Sequence, residues 1–323
     1  MAKRVLVIRL GALGDFAQSF AAFRQIREVH ADAEITLLTT PPYEGLARAS
    51  GLFDRVEADG RPKGLLQHLR LFRRLRRARY DRVYDLQTSS RSTAYFYGFL
   101  PRPPQWSGIS WGASHRQTRP DRDAMHNLDR AADQLHLADA GPAYGPGEAP
   151  PSDLSWAARV AGCEPEVLPP RLGLKSPFVL LAPGASAVKP QKLWPIASYA
   201  ELAARLAGRG LQVAVVGGPS EAALYGPIAA QAVGAVDLTG RTSLVELAAL
   251  GAEAALCVGN DSGPTHLLAY AGAPGLMLMS RVSDPAHCGP RGRMGWLRSD
   301  DLAALDVDTV FAACLEALGQ GRG

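Results

Sequence analysis

Short apolar runs rich in Val, Ile and Leu recur along the chain, and between them apolar residues fall at helical spacing. Arg4–Arg9, Glu34–Thr39 and Arg82–Leu86 read as strands in the first half; Phe178–Ala182, Leu211–Val216, Ala254–Val258 and Leu276–Ser280 do so in the second. They show little alternation, the pattern of parallel strands covered on both faces. Phe16, Phe20, Phe23 and Ile26 form one stripe of a helix after the first strand. Ser198 with Glu201 reads as a capping box opening a helix over 198–208, and Ser243 with Glu246 repeats the signal. Val307, Val310, Phe311, Cys314, Leu315 and Leu318 make a last apolar stripe. Strand and helix alternate in two sets, which predicts the α/β class: two Rossmann-like domains, each with a doubly wound parallel sheet.

Gly141-Pro142, Gly145-Pro146-Gly147, Pro150-Pro151 and Pro169-Pro170 are too many turn residues for a sheet interior, so the domain boundary is expected between 137 and 176. The division taken is 1–165 and 166–323, with a short helix at Leu154–Ala161 and a last helix able to pack back on the first domain.

Composition agrees with a folded protein: 47% of the 323 residues are hydrophobic and 20% charged. No apolar run reaches the roughly 18 residues of a membrane span. The apolar part of Met1-Ala-Lys-Arg-Val-Leu-Val-Ile8 is too short for a signal peptide and continues as a strand. Cys163, Cys257, Cys288 and Cys314 are scattered without metal-ligand spacing. These features predict a cytoplasmic, reducing setting and no structural zinc. The net charge of +4 is unevenly placed: Arg61, Lys63, Arg70, Arg73, Arg74, Arg76, Arg77, Arg79 and Arg82 face one acid, Asp81, within residues 61–82. Two readings of that stretch stay open, a solvated helix face or attraction for an anionic surface, either membrane headgroups or a phosphorylated acceptor. Nucleic acid is not expected, because no aromatic stacking platform accompanies the arginines.

The segment Leu256-Cys-Val-Gly-Asn-Asp-Ser-Gly-Pro-Thr-His266 runs from an apolar strand into a polar turn and then a helix that Pro264 opens. A helix starting there directs unpaired N–H groups at the turn, which suits a phosphate, and Asp261 and His266 share its mouth. It also reads as a plain capped turn. After the first strand, Gly11-Ala-Leu-Gly14-Asp15 permits a tight turn but lacks dinucleotide spacing, and Asp15 reads as a helix cap as readily as a catalyst. In the second half, Pro183-Gly-Ala-Ser186 followed by Lys192-Leu-Trp194-Pro195 is a sensible diphosphate cradle, with Lys189 a competitor for the ammonium. Gly217-Gly-Pro-Ser-Glu221 sets an acid just past a strand end, as a ligand contact or an ordinary first-turn acid.

Taken in order, Gly11-x-x-Gly14-Asp15, Pro183-Gly-Ala-Ser186, Lys192-x-Trp194-Pro195, Gly217-Gly-Pro-x-Glu221 and Gly259-Asn-Asp-Ser-Gly-x-x-His266 resemble glycosyltransferase family 9. Tyr80-Asp81-x-x-Tyr84-Asp85-Leu86-Gln87 and Ser283-Asp284-Pro285 extend the resemblance along nearly the whole chain. The family contains the ADP-heptose:lipopolysaccharide heptosyltransferases. The resemblance implies a GT-B fold, two facing Rossmann-like domains with the donor held mainly by the second, and inverting transfer without a metal or other cofactor.

By the same resemblance, Asp15 looks like the general base for the acceptor hydroxyl, and a helix N-terminus favours its negative charge. Ser186 and Lys192 resemble diphosphate ligands, Glu221 the acid that holds the ribose, and Asp261 a partner of donor sugar hydroxyls. Ser262, Gly263 and His266 belong to the phosphate-facing turn. Gly14, Gln87, Ser90 and Arg91 fall on the acceptor side. One departure concerns the phosphate loop: some relatives carry two adjacent hydroxyls, whereas Ser186 is followed by Ala187. The implied partners are an ADP-sugar donor and an anionic lipid-linked saccharide; peripheral contact of residues 61–82 with the inner membrane belongs to the anionic-surface reading of their charge. Rival readings are a sugar-nucleotide epimerase, which needs acid/base groups on both sides of a sugar carbon, and a catalytically silent sugar-nucleotide binder. A nicotinamide oxidoreductase fits less well, given the glycine spacing.

Overall fold

The computed structural model describes residues 3–186 and 188–320. The chain forms two compact units that divide after Ser152. Residues 153–165 therefore belong to the second unit instead of the first. The Leu154 N–H donates to Tyr270 O at 2.7 Å, and Leu154 and Ala157 are buried there. The helix expected at Leu154–Ala161 is a short 3-10 turn, Ser155–Arg159.

The first unit has six parallel strands: β1 Arg4–Ile8, β2 Glu34–Leu38, β3 Arg55–Glu57, β4 Arg82–Asp85, β5 Gln105–Gly108 and β6 His115–Arg116. Their order across the sheet is β3-β2-β1-β4-β5-β6. The second unit repeats this with β7 Phe178–Ala182, β8 Gln212–Val215, β9 Val236–Asp237, β10 Leu256–Asn260, β11 Gly275–Met279 and β12 Met294–Arg298, ordered β9-β8-β7-β10-β11-β12. Both sheets reverse direction of growth between their first and fourth strands, where open α/β sheets bind ligands. At that point Ile8 is in register with Asp85, and Ala182 with Gly259.

Burial on both faces explains the continuous apolar runs. In the first unit Leu6, Ile8, Leu38 and Val83 meet Leu71, Leu75, Tyr95, Phe96 and Trp106. The stripe Phe16, Phe20, Phe23 and Ile26 is buried, and Phe16 stacks on Tyr43 with ring centroids 4.7 Å apart. In the second unit Val179, Leu181, Val213, Val258 and Leu278 pack with Trp194, Tyr199 and Leu202. Val310 and Cys314 of the last helix, Val307–Gln320, enter this second core.

Ser243 and Glu246 form the expected capping box. Ser198 does not cap: the helix starts earlier, at Ile196, with Pro195 before it. The fixed φ of proline opens the helix there and leaves Ser198 inside the first turn. No helix among the described residues is long and apolar enough to cross a membrane.

Candidate active site

In the first unit, the loop after β1 turns at Gly11, whose φ of +109° favours glycine and whose Cα faces the Tyr43 ring. A short helix, Leu13–Gln18, follows with Ala12 at its cap position. Asp15 thus lies in the first turn and makes no capping hydrogen bond, so the cap reading fails. Its carboxylate is 43% exposed and faces one cation and one amide donor: Arg9 Nη2 is 3.7 Å from Oδ2, and Asn127 Nδ2 donates to Oδ1 at 3.5 Å. Gly14 is buried beside it.

Arg9 is buried, donates to Leu86 O at 2.5 Å, and leaves its Nε without a partner. Burial lowers its pKa, opposed by the charges of Asp15 and Asp85. Asp85, at the end of β4, is fully buried and burial pushes its carboxyl up to about 6, although Oδ1 accepts the N–H groups of Thr88 and Gln87. That turn presents Gln87, whose Oε1 accepts the Leu10 N–H at 2.8 Å and ties the β1 loop to the β4 loop. Arg130 donates to Asn127 Oδ1 at 2.6 Å, and Arg122 to Thr88 Oγ1 at 2.8 Å. Burial, with the charges of Arg122 and Arg9, lowers the Arg130 pKa. Arg9, Arg122, Arg130 and Asn127 were not singled out from sequence. They lie far apart along the chain, and only the fold gathers them. Ser90 and Arg91 are exposed and do not hydrogen-bond to Asp15.

In the second unit, Asn260 at the end of β10 is fully buried. Its Nδ2 donates to Pro183 O at 2.7 Å and its Oδ1 accepts the Trp194 N–H at 3.0 Å. One amide therefore holds both the Pro183-Gly-Ala-Ser186 loop and the Lys192-x-Trp194 segment against the sheet. Trp194 anchors the segment from below, buried in the core with its Nε1 on Leu305 O at 2.8 Å. Lys192 pairs with Asp261 Oδ2, whose other neighbours are Ser283 Oγ at 2.6 Å and His266 Nε2, on Oδ1, at 3.0 Å. Burial works to raise the Asp261 pKa, but His266, Lys192 and Ser283 outweigh it and hold the carboxyl well below the usual range.

The helix after this turn runs Gly263–Tyr270, with Ser262 as its cap residue and Pro264 at the second helical position instead of the first. Ser262 Oγ lies 3.1 Å from Thr265 Oγ1. Lys189 and Ser186 are exposed, and the Lys189 N–H donates to Ser186 O. Of the two lysines weighed as phosphate ligands, Lys192 is the one built into the cluster. Ala187 lies outside the described residues. Glu221 accepts the Gly218 N–H at 2.7 Å, and its carboxylate reaches the phosphate loop: a β-carbon at Gly184 would fall 1.6 Å from Oε1. Glycine at 184 is needed for this approach.

Cys288 stands at the same mouth, where the ligand atoms of Asp261, His266 and Cys288 lie within 4.8 Å of one another. Chain spacing did not announce this grouping. The Lys192 ammonium already supplies a cation to the Asp261 carboxylate.

Two Rossmann-like units with this strand order, one with a half-exposed carboxylate and the other with a small-residue loop, a lysine and an acid at the switch point, make a GT-B fold. Residues 68–294 match the family described as "Glycosyltransferase family 9 (heptosyltransferase)", and the chain belongs to that family. It is 23% identical over 280 residues to the lipopolysaccharide core heptosyltransferase OpsX of Haemophilus influenzae, covering 84% of this chain and 77% of that protein. Among solved structures it resembles a family 9 glycosyltransferase from Veillonella parvula (TM-score 0.81, 20% identity, 98% of this chain and 97% of the other). It is also similar to the E. coli ADP-heptose LPS heptosyltransferase II (TM-score 0.79, 21% identity, 99% of this chain and 100% of the other).

Proposed function

We propose that this protein is an inverting heptosyltransferase that moves a heptose from ADP-heptose to a lipopolysaccharide core acceptor on the cytoplasmic side of the membrane. The observation that carries this reading is the Lys192–Asp261–His266 cluster at the switch point of the second sheet, fixed by Asn260 beside the Pro183–Ser186 loop. An ammonium, a small-residue loop and a helix N-terminus gathered there suit the diphosphate of a nucleotide sugar. Glu221, whose carboxylate packs against Gly184 of the same loop, accepts from the ribose hydroxyls in this reading.

The roles divide between the units. Asp15 takes the proton of the acceptor hydroxyl as that oxygen bonds to the anomeric carbon. The bond from that carbon to the ADP oxygen breaks on the opposite face, so configuration inverts. Lys192, Ser186 and the N–H groups of the helix at Gly263 stabilise the departing diphosphate, the work a magnesium ion does elsewhere. Arg9, Arg122 and Arg130 leave the surroundings of Asp15 rich in positive charge, which favours an anionic saccharide acceptor.

A panel of nucleotide sugars including ADP-heptose and ADP-mannose tests the donor, read as thermal shift and as ADP release with an anionic core-oligosaccharide acceptor. ADP-heptose is expected to stabilise most and to release ADP only with acceptor present. A larger shift from another nucleotide sugar would replace the donor. Release should continue in excess EDTA, and loss rescued by Mg²⁺ or Mn²⁺ would overturn the metal-independent mechanism.

A further inference from the structure

The helix Leu65–Arg77 buries Leu71 and Leu75 and turns a different set of leucines outward. Leu65 is 74% exposed, Leu66 70% and Leu69 41%. At 100° per residue these three share one face with Arg70, Arg73, Arg76 and Arg77. The leucines occupy the first two turns and the arginines the last two. Arg61 and Lys63, both exposed, precede the leucines, so cations flank the apolar tip on both sides.

The tip is held firmly. The Lys63 N–H donates to Gln67 Oε1 at 2.7 Å, His68 Nδ1 lies 2.8 Å from Gly64 O, and Tyr95 OH donates to Gly60 O. Arg74 is engaged by Glu57 and Asp59 on the protein side. Arg70, Arg73 and Arg77 have no carboxylate partner among the described residues. Single exposed leucines are ordinary, but three on a fixed helix end ringed by unpaired cations are not.

We infer that this helix docks the protein on an anionic phospholipid surface, with Leu65, Leu66 and Leu69 entering the headgroup–acyl boundary and the arginines meeting lipid phosphates. A soluble phosphate or saccharide would satisfy the arginines and leave the leucines in water. A bilayer interface satisfies both. The inference deepens the proposed function, since a docked enzyme meets a lipid-linked acceptor in its own plane. It requires no particular donor, and its test uses no transfer reaction.

The experiment is flotation of the full-length protein with vesicles of neutral phosphatidylcholine, or of phosphatidylcholine with phosphatidylglycerol, at low and high salt. Binding is expected to favour the anionic vesicles by at least about tenfold and to weaken with salt. Replacing the leucines (L65S/L66S/L69S) should lower partitioning at least about tenfold while ADP affinity and melting temperature hold. Reversing charge (R70E/R73E/R77E) should remove the preference for anionic lipid. Parent-like partitioning of the leucine variant, or equal binding to neutral and anionic vesicles, would overturn the inference. So would binding single-stranded nucleic acid more tightly than vesicles. Failure of the sugar panel with intact vesicle binding would count against the transferase reading alone.

Discussion

Asp85 and Asp261 occupy matching places in two sheets of the same strand order. One ends the fourth strand of its unit and the other directly follows it. Both are buried, yet their acidities move in opposite directions. Asp85 has two backbone N–H groups on one oxygen, no hydrogen-bond partner on Oδ2, and Arg9 as its cation. Asp261 has an ammonium, an imidazole and a hydroxyl in direct contact. Burial is the common term, and the ammonium and imidazole in direct contact with Asp261, against only neutral hydrogen-bond donors on Asp85, decide which way it is resolved. The first acid organises a loop behind the surface. The second holds charged groups at the surface where a ligand is expected.

Asp15 extends the comparison to an acid left accessible, and its loss should have the largest effect. Asp15→Asn keeps size and polarity but cannot take a proton, so turnover should fall at least about a hundredfold with ADP affinity nearly unchanged. Near-parental turnover in a steady-state assay would remove Asp15 from the chemistry.

Next comes Lys192→Ala, which strips Asp261 of its cation. Leaving a buried carboxylate without that partner should cost about 3 kcal/mol of stability, the low end for broken buried pairs because Lys192 is 16% exposed. ADP affinity should drop by about 1.5–3 kcal/mol. Calorimetry with both quantities at parent values would show that the pair is idle, and Lys189 would become the phosphate ligand to test.

The pH dependence sharpens the contrast between the two buried acids. Raising the Asp85 pKa from 3.8 to about 6 means the folded state binds the extra proton between those values. Stability from Asp85 is therefore full below 3.8 and lost as pH rises through about 6, by up to about 3 kcal/mol. Asp261 has the reverse sign: its contribution is present above the ordinary carboxylate pKa and lost as pH falls below it. Asp85→Asn removes only the first slope, so the melting difference between variant and parent should be more favourable to the variant at pH 8 than at pH 4. A difference independent of pH would show that Asp85 is not strained by ionisation. The smallest effect is expected from Gln87→Met, which removes one hydrogen bond to Leu10 and should cost about 1 kcal/mol in thermal unfolding.

The long central strands were legible because burial on both faces writes itself as unbroken Val, Ile and Leu. The edge strands β3, β6 and β9 were not, since two or three residues carry no period, nor was the interior β5, whose Gln105-Trp-Ser-Gly108 has a single large apolar residue. β12 was missed for another reason: Gly295, Trp296 and Arg298 are exposed, so half its surface is polar or open. On the candidate site, motif order singled out Asp15, Lys192, Glu221 and Asp261, and the fold brings Lys192 and Asp261 together. The arginines around Asp15 carry no local signal, because residue 9 follows β1 while residues 122 and 130 sit on a 3-10 turn and a helix more than a hundred residues later. Asn260 sat inside a quoted motif, but its role as the tie between two loops depends on what Pro183 and Trp194 do 66 or more residues away.

The fit of Glu221 against Gly184 makes the two loops genetically inseparable. A methyl group at 184 occupies the space of the carboxylate, so Gly184→Ala should evict Glu221 without altering it. Such a strain would carry an intact acid and behave as though the acid were deleted. A survey reading position 221 alone would score it as wild type. In lineages of this chain the two positions are therefore expected to change together, a side chain arriving at 184 as a shorter one arrives at 221.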